Sequence, residues 1–266
     1  MAQEKWLVDG PKSIDVEGVR ALKVGLVGGS VDIVARDEPG VRIEVHGVTG
    51  KPLRITLDGD RLEVDHPQLG WENWTDLFRS FTGKDRAELS IAVPRDVALK
   101  LGVVSATALV SGLRGDVAAS TVSGDLVIDG VVGDLKLNAV SGELAVRGHS
   151  GRVGVNTVSG DVAVSGEVRE FSSDGVSGDV LLDLDGTPDT VRINTVSGDV
   201  SARLAHGVPV SFTINTVGGK LQLDELAVRG VRGRYTHRIG ELDGRWLDFT
   251  ANTVSGDVSV LHGALA

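Results

Sequence analysis

Apolar residues along this chain mostly fall in short alternating runs, and the runs recur. Between Val122 and Val140, Leu126 and Ile128 flank Val127, and Leu135 and Leu137 flank Lys136. A period of two predicts short strands with one buried face. Ser123-Gly124-Asp125 and Asp129–Asp134 separate the runs, and glycine in each corner suits tight bends. The same register returns as Leu144/Val146, Val162/Val164 and Val180/Leu182 for a first strand. A second strand follows as Val153/Val155, Val191/Ile193, Phe212/Ile214 and Leu247/Phe249. Stacked about 4.8 Å apart, such strands pair with their counterparts and line their apolar residues up in ladders.

A seven-residue phrase punctuates the runs. It reads S-T-V-S-G-D-L at Ser120–Leu126, N-A-V-S-G-E-L at Asn138–Leu144 and N-T-V-S-G-D-V at Asn156–Val162. It returns at Asp174–Val180, Asn194–Val200 and Asn252–Val258, and as N-T-V-G-G-K-L at Asn215–Leu221. Its serine steps by 18 from Ser123 to Ser141, Ser159 and Ser177. A fixed period of about 20 residues is the mark of a solenoid. The expected fold is therefore all-β, a right-handed parallel β-helix or β-solenoid with coils of about 18 residues. A left-handed hexapeptide helix would need a strict six-residue beat, which this chain lacks.

The whole of 1–266 reads as one solenoid domain. Divergent N-terminal coils are expected over 14–64 and regular coils over 87–266. About ten coils would span about 50 Å. Two stretches break the register. Residues 68–86 carry Trp71, Trp74, Phe78 and Phe81 at helical spacing, which predicts a short aromatic helical insertion. Residues 224–240 carry Arg229, Arg232, Arg234 and Arg238, which reads as a loop or hairpin insertion and the only basic island.

Composition narrows the functions. The net charge of −10 argues against nucleic acid as a partner, because a phosphate-binding surface needs a basic excess. The absence of cysteine removes thiolate chemistry and disulfides. The N-terminus shows no basic patch followed by an apolar run, and no stretch approaches 18 apolar residues. The expected location is the cytoplasm, with membrane contact at most peripheral.

Every candidate for chemistry has a structural reading beside it. The repeated asparagines Asn138, Asn156, Asn194, Asn215 and Asn252 suit a stacked amide ladder. The repeated acids Asp125, Glu143, Asp161, Asp179 and Asp199 would repel by roughly 1 kcal/mol per step at water dielectric. Solvent, salt and turn N–H groups can offset that, or a calcium ladder can. The sequence names no cofactor and no catalytic residue. Polysaccharide-active β-helix enzymes need a unique acid pair in an aromatic cleft, whereas these acids recur in every coil. The six histidines, mostly beside glycine or proline, read as loop residues. The stripe Trp71/Trp74/Phe78/Phe81 can cover an open flank, bind a partner or dip into a membrane interface.

The T-V-S-G-D-V phrase, its 18-residue step and the opening Leu22–Ile33 and Gly40–Val45 resemble the bacterial β-strand-repeat proteins called "putative adhesins" of unknown function, the toast-rack domain. The likeness is to actinobacterial members without a signal peptide, over about Trp6–Val260. It implies a right-handed solenoid and an association with envelope-stress or membrane-linked regulation. The expected function is non-catalytic: a scaffold or interaction module that meets a protein partner through a ladder face, the aromatic stripe or the arginines Arg229, Arg232, Arg234 and Arg238. An adhesin or carbohydrate-binding protein is the alternative, and a polysaccharide-active enzyme the second. Self-association through open solenoid ends is a further expectation.

Overall fold

Alternating apolar residues and glycine corners produce an all-β chain, and the described residues contain no helix. The structure, a computed structural model, describes residues 3–66 and 85–263. It forms two compact units, Met1–Gly133 and Asp134–Ala266. The first holds β1 (Glu4–Val8), β2 (Lys12–Val16), β3 (Ala21–Arg36), β4 (Val41–Thr49), β5 (Leu53–Asp58), β6 (Arg61–Asp65), β7 (Arg86–Pro94), β8 (Ala98–Ser111), β9 (Val117–Thr121) and β10 (Leu126–Asp129). β11 (Val132–Ala139) leads into the second. That unit holds β12 (Leu144–Thr157), β13 (Val162–Gly175), β14 (Val180–Leu184), β15 (Thr190–Asn194), β16 (Val200–Leu204), β17 (Val210–Gly218), β18 (Lys220–Leu223), β19 (Leu226–Arg229), β20 (Gly233–Ile239), β21 (Leu247–Ser255) and β22 (Val258–His262).

In the second unit, equivalent strands of successive coils pair parallel and in register. Val162 stands beside Val180, Val180 beside Val200, and Phe171 beside Val191. The order in space is not the order in sequence. β21 lies between β15 and β17, with Phe249 beside both Val191 and Phe212. Likewise β22 lies between β16 and β18, with Val258 beside both Val200 and Leu221. The C-terminal coil therefore slots into the stack ahead of the coil that precedes it in the chain. One buried column runs Val153, Phe171, Val191, Phe249 and Phe212. The rings of Phe212 and Phe249 meet tilted, 5.6 Å apart, in the geometry aromatic pairs favour.

The first unit repeats the device. β3, first of its parallel strands in the chain, lies between β8 on one edge and β6 with β7 on the other. A column of Ile14, Ile43, Ile91, Ile33, Val110 and Ile128 runs from β2 to β10. Not every strand of 14–64 stacks parallel. β5 and β6 form a hairpin around Gly59-Asp60, whose two-residue turn leaves the strands no choice but to run antiparallel. β1 adds antiparallel to β5, β4 to β7 and β2 to β4.

Asp65 stands beside Gly25, and Arg86 beside Gly28, so β6 ends and β7 begins three residues apart along β3. Of the expected helical insertion at 68–86, Asp85 and Arg86 are described, and Arg86 opens β7. Trp71, Trp74, Phe78 and Phe81 lie outside the described residues. The expected loop or hairpin insertion at 224–240 is built as two strands, with β19 antiparallel to β18 and β20 antiparallel to β17.

Candidate functional site

Each letter of the repeated phrase has a physical task. The asparagine is the amide rung: Asn156 Nδ2 donates to Asn138 Oδ1 at 3.0 Å, and Asn194 Nδ2 to Asp174 Oδ1 at 2.7 Å. The column continues through Asn252 to Asn194 and Asn215 to Asn252, both at 2.6 Å. In the copies at Thr121 and Thr157 the threonine closes the corner. Thr157 Oγ1 accepts the Gly160 N–H at 2.9 Å, and Thr121 does the same for Gly124. The serine hydroxyl donates back to the valine carbonyl of the preceding coil, as Ser159 does to Val140 and Ser177 to Val158.

The glycine is demanded by the closeness of the coils. A Cβ on Gly198 would lie 2.2 Å from the Gly178 carbonyl oxygen, with φ at +127° besides. The acidic residue receives the next coil. Asp161 Oδ1 accepts the Asp179 N–H at 2.9 Å, Asp179 accepts Asp199 at 2.8 Å, and Asp199 accepts Asp257 at 2.8 Å. Turn N–H groups thus answer the repulsion expected along this column, by charge-assisted bonds. These carboxylates are built as clamps between coils.

Lys220, which interrupts the acids in sequence, ends the column in space. Its N–H donates to Asp257 Oδ1 at 2.8 Å and its Nζ lies 3.7 Å from Asp257 Oδ2. Among the described residues no further parallel coil follows β18, so a carboxylate at 220 would have no coil N–H to receive. The valine of the phrase faces solvent instead. Val158, Val176, Val196, Val254 and Val217 are all exposed and occupy equivalent places in successive coils. Beside them, Asn194, Asn252, Asn215, Val254 and Arg234 line an open groove of about 410 Å³. Buried Thr216 and Thr253, also at the groove, have hydroxyls with no hydrogen-bond partner among the described residues.

The basic island sits at the outer edge of the second unit. β20 pairs with β17 alone among the described strands, placing Arg234 beside Asn215 and Arg238 beside Ser211. Arg229 pairs with Lys220 in the β18–β19 ladder, and Arg232 lies in the connection to β20. Among the described residues, none of these four arginines makes an ion pair or side-chain hydrogen bond. Arginines elsewhere are engaged: Arg42 with Asp15, Arg95 with Asp37, and Arg203 with Asp183. The bond from Arg42 holds the Asp15 carboxyl below its usual range.

The histidines depart from the loop reading. His66 and His149 are buried. His66 Nδ1 accepts the Val27 N–H at 3.3 Å, and burial lowers its pKa, keeping the ring neutral. Next to it Asp65 takes both Arg54 nitrogens, at 2.9 and 2.5 Å. His262 Nδ1 lies 2.8 Å from Asp224 Oδ2, and its Nε2 lies 2.9 Å from the Val208 carbonyl, tying β22 to the β18–β19 turn. A strand-corner histidine is buried by its place in the stack, and its Gly or Pro neighbours do not reveal that.

The model of the Toastrack DUF4097 family matches residues 21–261. The chain belongs to that family. Two solved structures resemble this toast-rack chain. A "putative cell adhesion protein" from Clostridium sporogenes ATCC 15579 is 16% identical with a TM-score of 0.28, covering 95% of this chain and 100% of its own. A "putative adhesin" from Bacteroides fragilis NCTC 9343 is 10% identical with a TM-score of 0.42, covering 98% of this chain and 97% of its own. No curated protein matches the chain. The toast-rack assignment expected from the T-V-S-G-D-V phrase is thereby met.

Proposed function

We propose that this toast-rack protein is a non-catalytic scaffold, a β-solenoid-like module that presents side chains at fixed spacing to a protein partner. The observation that carries this reading is the acid column, whose carboxylates accept backbone N–H groups of the next coil at 2.8–2.9 Å. A residue that clamps successive coils, as Asp161, Asp179, Asp199 and Asp257 do, is a structural part, and what is left for a partner is the valine face and the basic edge. Parallel strands joined by short connections favour a right-handed path, which completes the proposed geometry. The envelope-stress or membrane-linked role implied by the family resemblance belongs to the same reading.

Affinity capture with crosslinking from the native cell tests it, comparing wild type with Asp179→Asn/Asp199→Asn. The expected result is a specific partner recovered equally by both, with the variant melting lower. Loss of the partner in a variant that remains folded would make the acid column a binding site and overturn the reading.

The groove beside the asparagine column favours a second reading, carbohydrate binding, because stacked amides and Arg234 line it with polar donors and acceptors. Glycan-array binding that is lost in Asn215→Ala/Asn252→Ala would support it.

A further inference from the structure

β20 ends the second unit as an unfinished sheet. Its partner β17 covers one edge, and no described strand pairs with the other. Unpaired strand edges present a row of backbone donors and acceptors ready for another chain. The core columns also run on into this strand. His237 stands beside Phe212, Tyr235 beside Ile214 and Ile239 beside Val210. Those three partners in β17 are buried, whereas Tyr235, His237 and Ile239 are only half-buried. The rings of Tyr235 and His237 stack at 6.3 Å and make an aromatic step on this face. On the opposite face Arg234, Thr236 and Arg238 are exposed.

Residues 226–239 hold four arginines and no carboxylate, in a chain of net charge −10. We propose that β20 is a docking strand for an acidic, extended segment of a partner protein. That segment pairs through its main chain with the free edge of β20. Its acids face Arg234 and Arg238, about 13 Å apart at four strand steps. Its alternate apolar residues cover Tyr235 and His237. The segment expected is therefore one in which acidic and apolar residues alternate. A second copy of this chain fits poorly, because antiparallel pairing of two β20 edges sets arginine against arginine. This rests on the interaction-module reading above and names its partner surface.

The test is fluorescence anisotropy with three labelled peptides: glutamate alternating with valine, lysine alternating with valine, and the glutamate peptide N-methylated along one edge. The full chain and Arg234→Glu/Arg238→Glu are compared, with circular dichroism confirming that both are folded. Saturable binding of the glutamate peptide is expected, with no binding of the other two. The double variant should bind about tenfold or more weakly, as expected for loss of two charge-assisted contacts.

Equal binding of the N-methylated peptide would mean charge attraction without strand pairing, and would overturn the proposal. So would equal binding of the lysine peptide, an unchanged double variant, or no binding at millimolar peptide. Co-sedimentation with phosphatidylglycerol vesicles in place of peptide binding would assign the edge to a lipid surface. A concentration-dependent dimer lost in the double variant would assign it to a second copy. If cellular capture recovers the same partner with wild type and the double variant, the module reading survives and the edge proposal fails.

Discussion

The outermost strands of the two units finish their sheets differently. In the first unit Val8 of β1 is 2% exposed, and Ile14 and Val16 of β2 are 7% and 5% exposed. Charges there are matched, as in Asp15 with Arg42 at 2.8 Å. In the second unit the equivalent inward residues of β20 are half-buried and its arginines have no carboxylate partner among the described residues. At the first edge the inward side chains are buried and the charges matched, and the second is left with unmatched charge and a half-buried aromatic step. The difference follows from coil order. Because β21 and β22 thread in ahead of β17 and β18, the last coil in space is the one with Gly218 and Lys220, and β19 and β20 are laid against it.

A packed corner glycine against the exposed serine position of the last coil gives the largest contrast. Gly198→Ala forces a Cβ to within 2.2 Å of a carbonyl oxygen and should cost about 3 kcal/mol. Gly218→Ala meets nothing within 4 Å and should stay within about 0.5 kcal/mol of wild type. Urea unfolding of both variants measures the pair, and similar losses would mean that the coils are not packed as described. The two edges come next. Ile14→Ala should cost about 2–4 kcal/mol, because Ile14 is buried at the end of the isoleucine column. Ile239→Ala should cost about 1 kcal/mol or less from its half-buried place on β20. Equal costs would erase the distinction between a closed and an open edge.

Smaller effects separate the acid column from its terminator. Asp199→Ala removes the acceptor of the Asp257 N–H and should cost about 1–2 kcal/mol. Lys220→Ala leaves that bond in place and should cost less than about 0.5 kcal/mol, as expected for an exposed pair. Thermal melts at low ionic strength resolve the two.

The smallest effect is a pH dependence from His66. Its folded pKa lies below the unfolded value, so folded and unfolded states are both neutral well above about pH 6.5. Below that value the unfolded ring binds a proton that the folded one resists, and stability falls as pH drops. His66→Gln should flatten that part of a melting-temperature profile between pH 7 and 5, and an unchanged profile would mean that His66 does not titrate as described.

Much of this was legible in the sequence, because the phrase repeats and each letter has one task. The amide ladder, the glycine corners and the family all follow from N-T-V-S-G-D-V. The coil order did not follow, because the copy at Asn252–Val258 is closer to the consensus than the copy at Asn215–Leu221 that precedes it. A signal was present: Gly218 and Lys220 replace serine and aspartate in the coil that has no parallel neighbour beyond it among the described residues. The antiparallel strands of the first unit were hidden for a different reason. Val41–Val45 alternates like any coil strand, and alternation fixes which face is buried but not which way the neighbour runs. The burial of His66 was hidden because its neighbours in space, Gly25 and Val27, are far away in sequence.

The insertion of the C-terminal coil is the claim on which the open edge depends, and paired cysteines test it directly, since the chain has none of its own. Ser255 pairs with Ser197 on one side and Gly218 on the other. Neighbouring coils about 4.8 Å apart are within reach of a disulfide, and coils two steps apart are not. Mild oxidation should therefore lock Ser197→Cys/Ser255→Cys and Gly218→Cys/Ser255→Cys, and leave Ser197→Cys/Gly218→Cys reduced. A disulfide in that last variant, with none in Ser197→Cys/Ser255→Cys, would place the coils in simple sequence order and contradict the account.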